Sequence, residues 1–155
     1  MTYPDLFAKK ECEKALARIE NLTRETQPEW GVMNAAQMLA HLNVAYEFVY
    51  DPGKHKRPTG LKKFFLKHLL KPFVVGPKAY KQNAKTAPEF KVAGESNAEF
   101  DTEKTKLIDF IEQVQRDGVF KFLSVESHSF GLLTEQEWNT LFSKHLEHHL
   151  VQFGV

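Results

Sequence analysis

The C-terminal stretch from Thr134 onward narrows the possible folds more than any other part of the chain. Thr134 followed by Glu137 forms a capping box, which opens a helix from Glu135 to about Gln152, and Gly154 closes it. At about 100° per residue, Trp138, Phe142, His145, His149 and Gln152 fall within roughly 40° of one line. Two imidazoles one turn apart therefore occupy the centre of an apolar stripe that other elements must cover. An unpaired polar group buried there costs about 1–3 kcal/mol. A metal ion resolves the difficulty by taking one nitrogen of each ring and leaving the other to donate to an acceptor. The i, i+4 spacing is the one by which a helix offers two ligands to one ion. The alternative is a pair of core histidines satisfied by ordinary hydrogen bonds.

The partners that cover this stripe are also helical. Leu6, Phe7, Ala15, Leu16 and Ile19 give an amphipathic first helix within Asp5 to Leu22. Asn34 with Gln37 is a second capping box, opening a helix from Ala35 to about Tyr50 with stripe Ala35, Met38, Leu42, Ala45, Tyr46 and Val49; Asp51-Pro52-Gly53 ends it. Asp101 or Thr102 caps a third long helix, Glu103 to Arg116, stopped by Asp117-Gly118. Between the second and third long helices, Leu61 to Leu70 reads as a short basic helix. Pro72, Gly76, Pro77 and Pro88 make Lys71 to Gly94 mostly irregular. Val119 to Phe130 alternates partly, as a short strand or an extended connector. Four substantial helices and one short one predict an all-α four-helix bundle, in a single domain over residues 1–155.

A third ligand should come from a facing helix. His41 is the candidate, about 60° off the middle of the second helix's stripe. His41, His145 and His149 with one open position match the usual pattern of a catalytic rather than a closed structural site. His148 lies about 80° from the stripe and reads as a supporting or surface group. His128 either reaches the site from a loop or sits in solvent, the latter being simpler. His55 and His68 lie among lysines and read as solvated. In His145-Leu146-Glu147-His148-His149 no glutamate directly follows the first histidine, so this is not the zinc-protease motif and Glu147 is not nominated as a base.

The formal charge of +1 argues against bulk attraction to nucleic acid or membrane. Charge is unevenly placed, however: residues 54–91 hold eleven Lys or Arg and one acid, Glu89. Phe64, Phe65, Leu69 and Leu70 with Lys62, Lys63, Lys67 and Lys71 fit either an anionic-surface helix or, more simply, a helix covering the bundle with its lysines in water. Cys12 is the only cysteine, in keeping with a reducing compartment, and Met1 to Asp5 shows no signal-peptide pattern, so a cytoplasmic location is expected. No run approaches the roughly 20 apolar residues that span a bilayer.

The segment Trp30 to His41 (WGVMNAAQMLAH) resembles the second-helix signature of the DinB/YfiT-like metalloenzymes, and Lys144 to Gly154 (KHLEHHLVQFG) resembles their last helix. Ala84 to Glu89 and Phe130-Gly131 before Thr134 are similar to one branch of that superfamily, described only as a domain of unknown function. The resemblance implies an up-down-down-up four-helix bundle, often dimeric. It implies a nickel or zinc ion, with iron or manganese as alternatives, held at the positions of His41, His145 and His149. It also implies transfer of low-molecular-weight thiols or thiol-dependent isomerisation of small-molecule substrates; the open three-histidine set itself fits a thiol transferase or a hydrolase. The basic insertion over 54–91 departs from the simplest family pattern. The expected function is thus a divalent-metal-dependent enzyme without nucleic-acid or membrane partners; the alternative is a non-catalytic, stress-related module that binds metal or a small ligand.

Overall fold

The computed structural model describes residues 3–85, 87–88, 90–91 and 98–155. Within them the chain is mostly helical with one two-stranded sheet. Helix α1 spans Lys9–Glu20 and α2 spans Ala35–Tyr50. Next come α3 (Gly60–Phe65), a π-helical turn (Leu66–Leu70) and α4 (Lys71–Val74). Helix α5 covers Phe100–Asp117 and α6 is a single turn, Phe120–Leu123. Strands β1 (Glu126–Ser127) and β2 (Gly131–Leu132) pair antiparallel, and α7 (Glu135–Gln152) ends the chain.

Both capping boxes form. Asn34 Oδ1 accepts from the Gln37 backbone N–H while Gln37 Oε1 accepts from that of Asn34, and Thr134 and Glu137 repeat the exchange. These reciprocal bonds satisfy N–H groups that have no partner within the helix, fixing where α2 and α7 begin. Gly118, at φ +65°, stops α5 as its position after Asp117 predicts. Helix α5 starts three residues before the expected Glu103, at Phe100, because Phe100 itself is buried and draws the first turn inward. Val119 to Phe130 first makes the α6 turn and then contains the short strand β1, Glu126–Ser127.

Helix α2 packs against α5 and α7, and α1 packs against α5. Their buried apolar residues join one core, including Ile19 from α1, Met38, Leu39 and Leu42 from α2, Leu107 and Ile111 from α5, and Trp138, Phe142 and Leu150 from α7. Tyr46 sets the register between α2 and α7. Its ring stacks between Phe110 and Phe142, at centroid distances of 5.8 and 5.7 Å, and its hydroxyl donates to the Phe142 carbonyl at 3.1 Å. Fixing Tyr46 to Phe142 fixes His41, just over one turn away on α2, relative to His145 on α7.

The region expected to be irregular after Lys71 contains α4. Pro72 sits in its first turn, where the missing N–H would have no helical partner in any case. Thr86, Glu89 and residues 92–94 of that region lie outside the described residues. Helix α7 is covered on more sides than one stripe allows. Leu146, Leu150, Ser143 and Lys144 are buried beside the predicted line: Phe73 and Gly76 accept from Lys144 on one flank, while Leu6 and Arg18 bond to Asn139 and Glu147 on the other.

Glu47, buried near the end of α2, accepts from Lys54 and His55, at 2.5 and 2.8 Å, and from Lys106. His55 is therefore tied to a carboxylate and largely buried, not solvated as its lysine-rich neighbourhood suggests. Burial alone would push the Glu47 carboxyl up, but the bonds from Lys106, Lys54 and His55 outweigh it and hold the group down at about 2. A depressed carboxyl stabilises the fold above its unfolded value, near 4.5, and that contribution fades as pH falls from about 4.5 to about 2. A melting-temperature series across that window is expected to fall more steeply for the native chain than for Glu47→Gln; parallel curves would remove Glu47 from the acid response.

Candidate metal centre

His41 lies in the buried middle of α2, while His145 and His149 stand one turn apart on α7. The structure brings the three together as the spacing predicts. His145 Nε2 lies 2.9 Å from His41 Nε2 and 3.1 Å from His149 Nε2. One ligand atom from each ring lies within 4.8 Å of the others. His41 and His149 are buried, and His145 is half-buried.

The outer nitrogens decide what the inner ones are. His41 Nδ1 faces the Phe90 carbonyl at 3.0 Å and can only donate to it. His149 Nδ1 faces Gln152 Oε1 at 2.7 Å. The orientation of that amide follows from its other end, where Gln152 Nε2 donates to the Trp30 carbonyl at 2.5 Å. In their neutral forms both His41 and His149 therefore carry the proton on Nδ1 and present a bare Nε2 lone pair to His145. One N–H on His145 Nε2 can satisfy only one of them. Some lone pair must face another across about 3 Å, unless a cation sits among them.

Protonation does not supply that cation. Burial pushes His41 down, with the Phe90 carbonyl opposing and His148 adding to the effect. Burial pushes His149 down to about 3, His41 reinforcing it. His145 is lowered well below its ordinary value by burial and then by the neighbouring imidazoles His149, His41 and His148. Three neutral imidazoles with converging Nε2 atoms form a donor set for a divalent transition metal, with a carbonyl and an amide oxygen orienting two of the rings.

Aromatic rings wall the cluster. Phe90 packs on His41 and His145, at 5.3 and 5.4 Å between centroids, and Phe48 backs Phe90 at 5.4 Å. Tyr80 lies against His145 and His148, and Trp30 against His148. His148 is thus a wall residue beside the cluster rather than one of the converging three. His128 does not reach the site. It stacks on Phe48 at 4.5 Å and its Nδ1 meets Ser129 Oγ at 2.9 Å. His68 is exposed on the basic helix, and Glu147 pairs with Arg18 at 2.5 Å, away from the rings.

Two contributors are not legible as such in the sequence. Lys144, buried on α7 next to His145, donates to the carbonyls of Phe73 and Gly76 at 2.6 and 2.9 Å and points its ammonium at the Tyr80 ring, 4.5 Å from the centroid. Burial pushes it down to about 8. It pins segment 73–80, and with it Tyr80, against the site. Gly31 is the second: its φ is +87°, and a Cβ there would stand 2.7 Å from Gln152 Nε2, so only glycine lets the Trp30 loop close on that amide. Gln152→Leu is expected to weaken divalent-metal affinity roughly 10–100-fold while leaving all three rings present. Titration with a competing chelator checks this, and an unchanged affinity would mean that the amide does not orient His149.

Among comparisons with known proteins, a family model described as "Protein of unknown function (DUF1569)" matches residues 5–154. No curated protein and no solved structure matches the chain.

Proposed function

Since the chain belongs to that family of unknown function, we propose from the site itself that it is a divalent-metal-dependent enzyme of the DinB/YfiT type. Its ligands are His41, His145 and His149, and the ion is zinc or nickel. The observation that carries this reading is the convergence of three Nε2 atoms whose proton positions leave at least one lone pair without a donor. In this reading α1, α2, α5 and α7 form the up-down-down-up bundle of that superfamily. The reaction is transfer of a low-molecular-weight thiol to an electrophilic small molecule, or a hydrolysis, and the protein works as a homodimer.

A bound divalent ion lowers the pKa of a water or thiol at its open position into the neutral range. The chain supplies the rest. The Phe90 carbonyl and Gln152 hold two rings with their lone pairs inward. Phe48, Phe90 and Tyr80 keep bulk water away from the inner face. His145, the half-buried member, marks the side from which a small substrate approaches.

The test is metal content followed by turnover. Protein purified without a histidine tag is expected to carry about one transition-metal ion per chain. It is then expected to consume glutathione, bacillithiol or mycothiol in the presence of electrophilic acceptors. Absence of a stoichiometric metal sinks the reading. Metal without turnover on that panel shifts it to the non-catalytic binding module, for which the same donor set serves.

A further inference from the structure

Helices α3 and α4 and the π turn between them form one helical rod over residues 60–74, since the joining residues Phe65, Leu66 and Leu70 all keep right-handed helical angles. The rod has two apolar faces. Leu66, Leu70 and Val74 pack on the core. The opposite face holds Leu61, Phe64, Phe65, Leu69 and Phe73, which are 87%, 62%, 53%, 56% and 64% exposed. Of the four residues expected to cover the bundle, Phe64, Phe65, Leu69 and Leu70, only Leu70 packs inward. Five large apolar side chains on one short ridge form an exposed patch of a kind that marks an interaction surface.

Charge selects the partner. Residues 54–91 carry eleven Lys or Arg and one acid in a chain with a net charge of only +1, so the remaining residues are strongly acidic. Lys56, Arg57, Lys67 and Lys78 make no ion pair among the described residues. Lys56 and Arg57 are exposed just before the rod, and Lys67 is exposed on it, with its side-chain end near Gly131. A second copy meeting this face through a two-fold axis would bring like charges together. A protein partner would need a groove matched to a convex ridge. A fluid anionic surface needs neither: it accepts aromatic and aliphatic side chains at its headgroup boundary and attracts the lysines around them. The acidic remainder is repelled, so only this face approaches.

We propose that the 60–74 rod docks the protein peripherally on anionic lipid bilayers, with Leu61, Phe64, Phe65, Leu69 and Phe73 inserted at the interface and Lys56, Arg57 and Lys67 against the headgroups. No helix among the described residues is long and apolar enough to cross a membrane, so the attachment is interfacial. Lys144 holds the end of the rod through the Phe73 and Gly76 carbonyls, so the docked face keeps a fixed relation to α7. The proposal takes up the anionic-surface alternative in place of the expected absence of a membrane partner.

Flotation of the full chain with vesicles tests the proposal. At low salt the protein is expected to float with vesicles containing phosphatidylglycerol, to stay behind with phosphatidylcholine alone, and to be released by high salt. Phe64→Ser with Phe73→Ser, both exposed and thus compatible with folding, is expected to lower partitioning about tenfold or more. Lys56→Glu with Arg57→Glu is expected to do the same on anionic vesicles. Circular dichroism of each variant confirms that the fold is kept. No flotation at low salt overturns the proposal, and so does flotation indifferent to the Phe substitutions. A chain that ignores vesicles but forms a dimer, by light scattering, that the Phe substitutions abolish would assign the ridge to a second copy instead.

Discussion

His145→Leu is expected to destabilise the protein far more in the presence of metal than in its absence. With a divalent metal in roughly hundredfold excess over its dissociation constant, the native chain gains about 2.7 kcal/mol from binding, and the variant gains little because one of its three ligands is gone. In the presence of a chelator the difference shrinks without reversing. The native chain then holds one inward lone pair without a donor and the variant two, because the His145 N–H is gone, and one further unsatisfied buried acceptor costs about 1–3 kcal/mol. Leucine is close to the imidazole in volume and fills the space between Phe90, Tyr80 and the two remaining rings. Denaturant unfolding of both proteins, with and without chelator, measures the two differences. An equal loss under both conditions would show that the ring serves packing alone, and the metal centre would go with it.

Trp138→Ala is the substitution expected to damage the fold most, by about 3–5 kcal/mol. Trp138 is buried at the N-terminal end of α7, where its ring lies 5.3 Å from Phe122 and 5.7 Å from Phe142. Its removal opens a cavity between α6 and α7, and Phe142 is in turn the residue that registers α7 on Tyr46. Trp138→Phe separates the packing term from the polar one. The indole Nε1 is buried with no hydrogen-bond partner among the described residues, so phenylalanine gives up no bond and is expected to cost less than about 1.5 kcal/mol. The denaturant midpoints of the two variants measure this. Equal midpoints would mean that the site relaxes around either residue and that the ring contacts do not set the position of α7.

The parts of the molecule that were readable in the chain share one property: their signal is local. A capping box needs two residues three apart, and both occurrences place a helix start to the residue. The pair His145 and His149 needs one turn of helix, and the apolar stripe supplies its direction. His41 was reachable only through the companion rule that a third ligand faces the first two. What stayed hidden depends on non-local company. Nothing near Lys144 in the sequence distinguishes it from the exposed Lys121, yet the carbonyls that accept from it lie some seventy residues away. His55 reads as solvated because its neighbours in sequence are basic, whereas its neighbour in space is Glu47. The outward face of the 60–74 rod was misjudged for a related reason. A helix with apolar residues on two sides gives no sign of which side the core has taken.

The cluster unites rings that lie 104 positions apart along the chain, and His149 is oriented by an amide whose own anchor is the Trp30 carbonyl. Neither end holds a finished half of the centre. During synthesis the first histidine emerges long before its two companions, and until α7 has docked there is only a lone side chain on α2. In the proposed metal enzyme, loading would be the last event of maturation rather than its seed. Scavenging of an ion by a partly made chain would be disfavoured, and selection of the metal would fall to the completed cage.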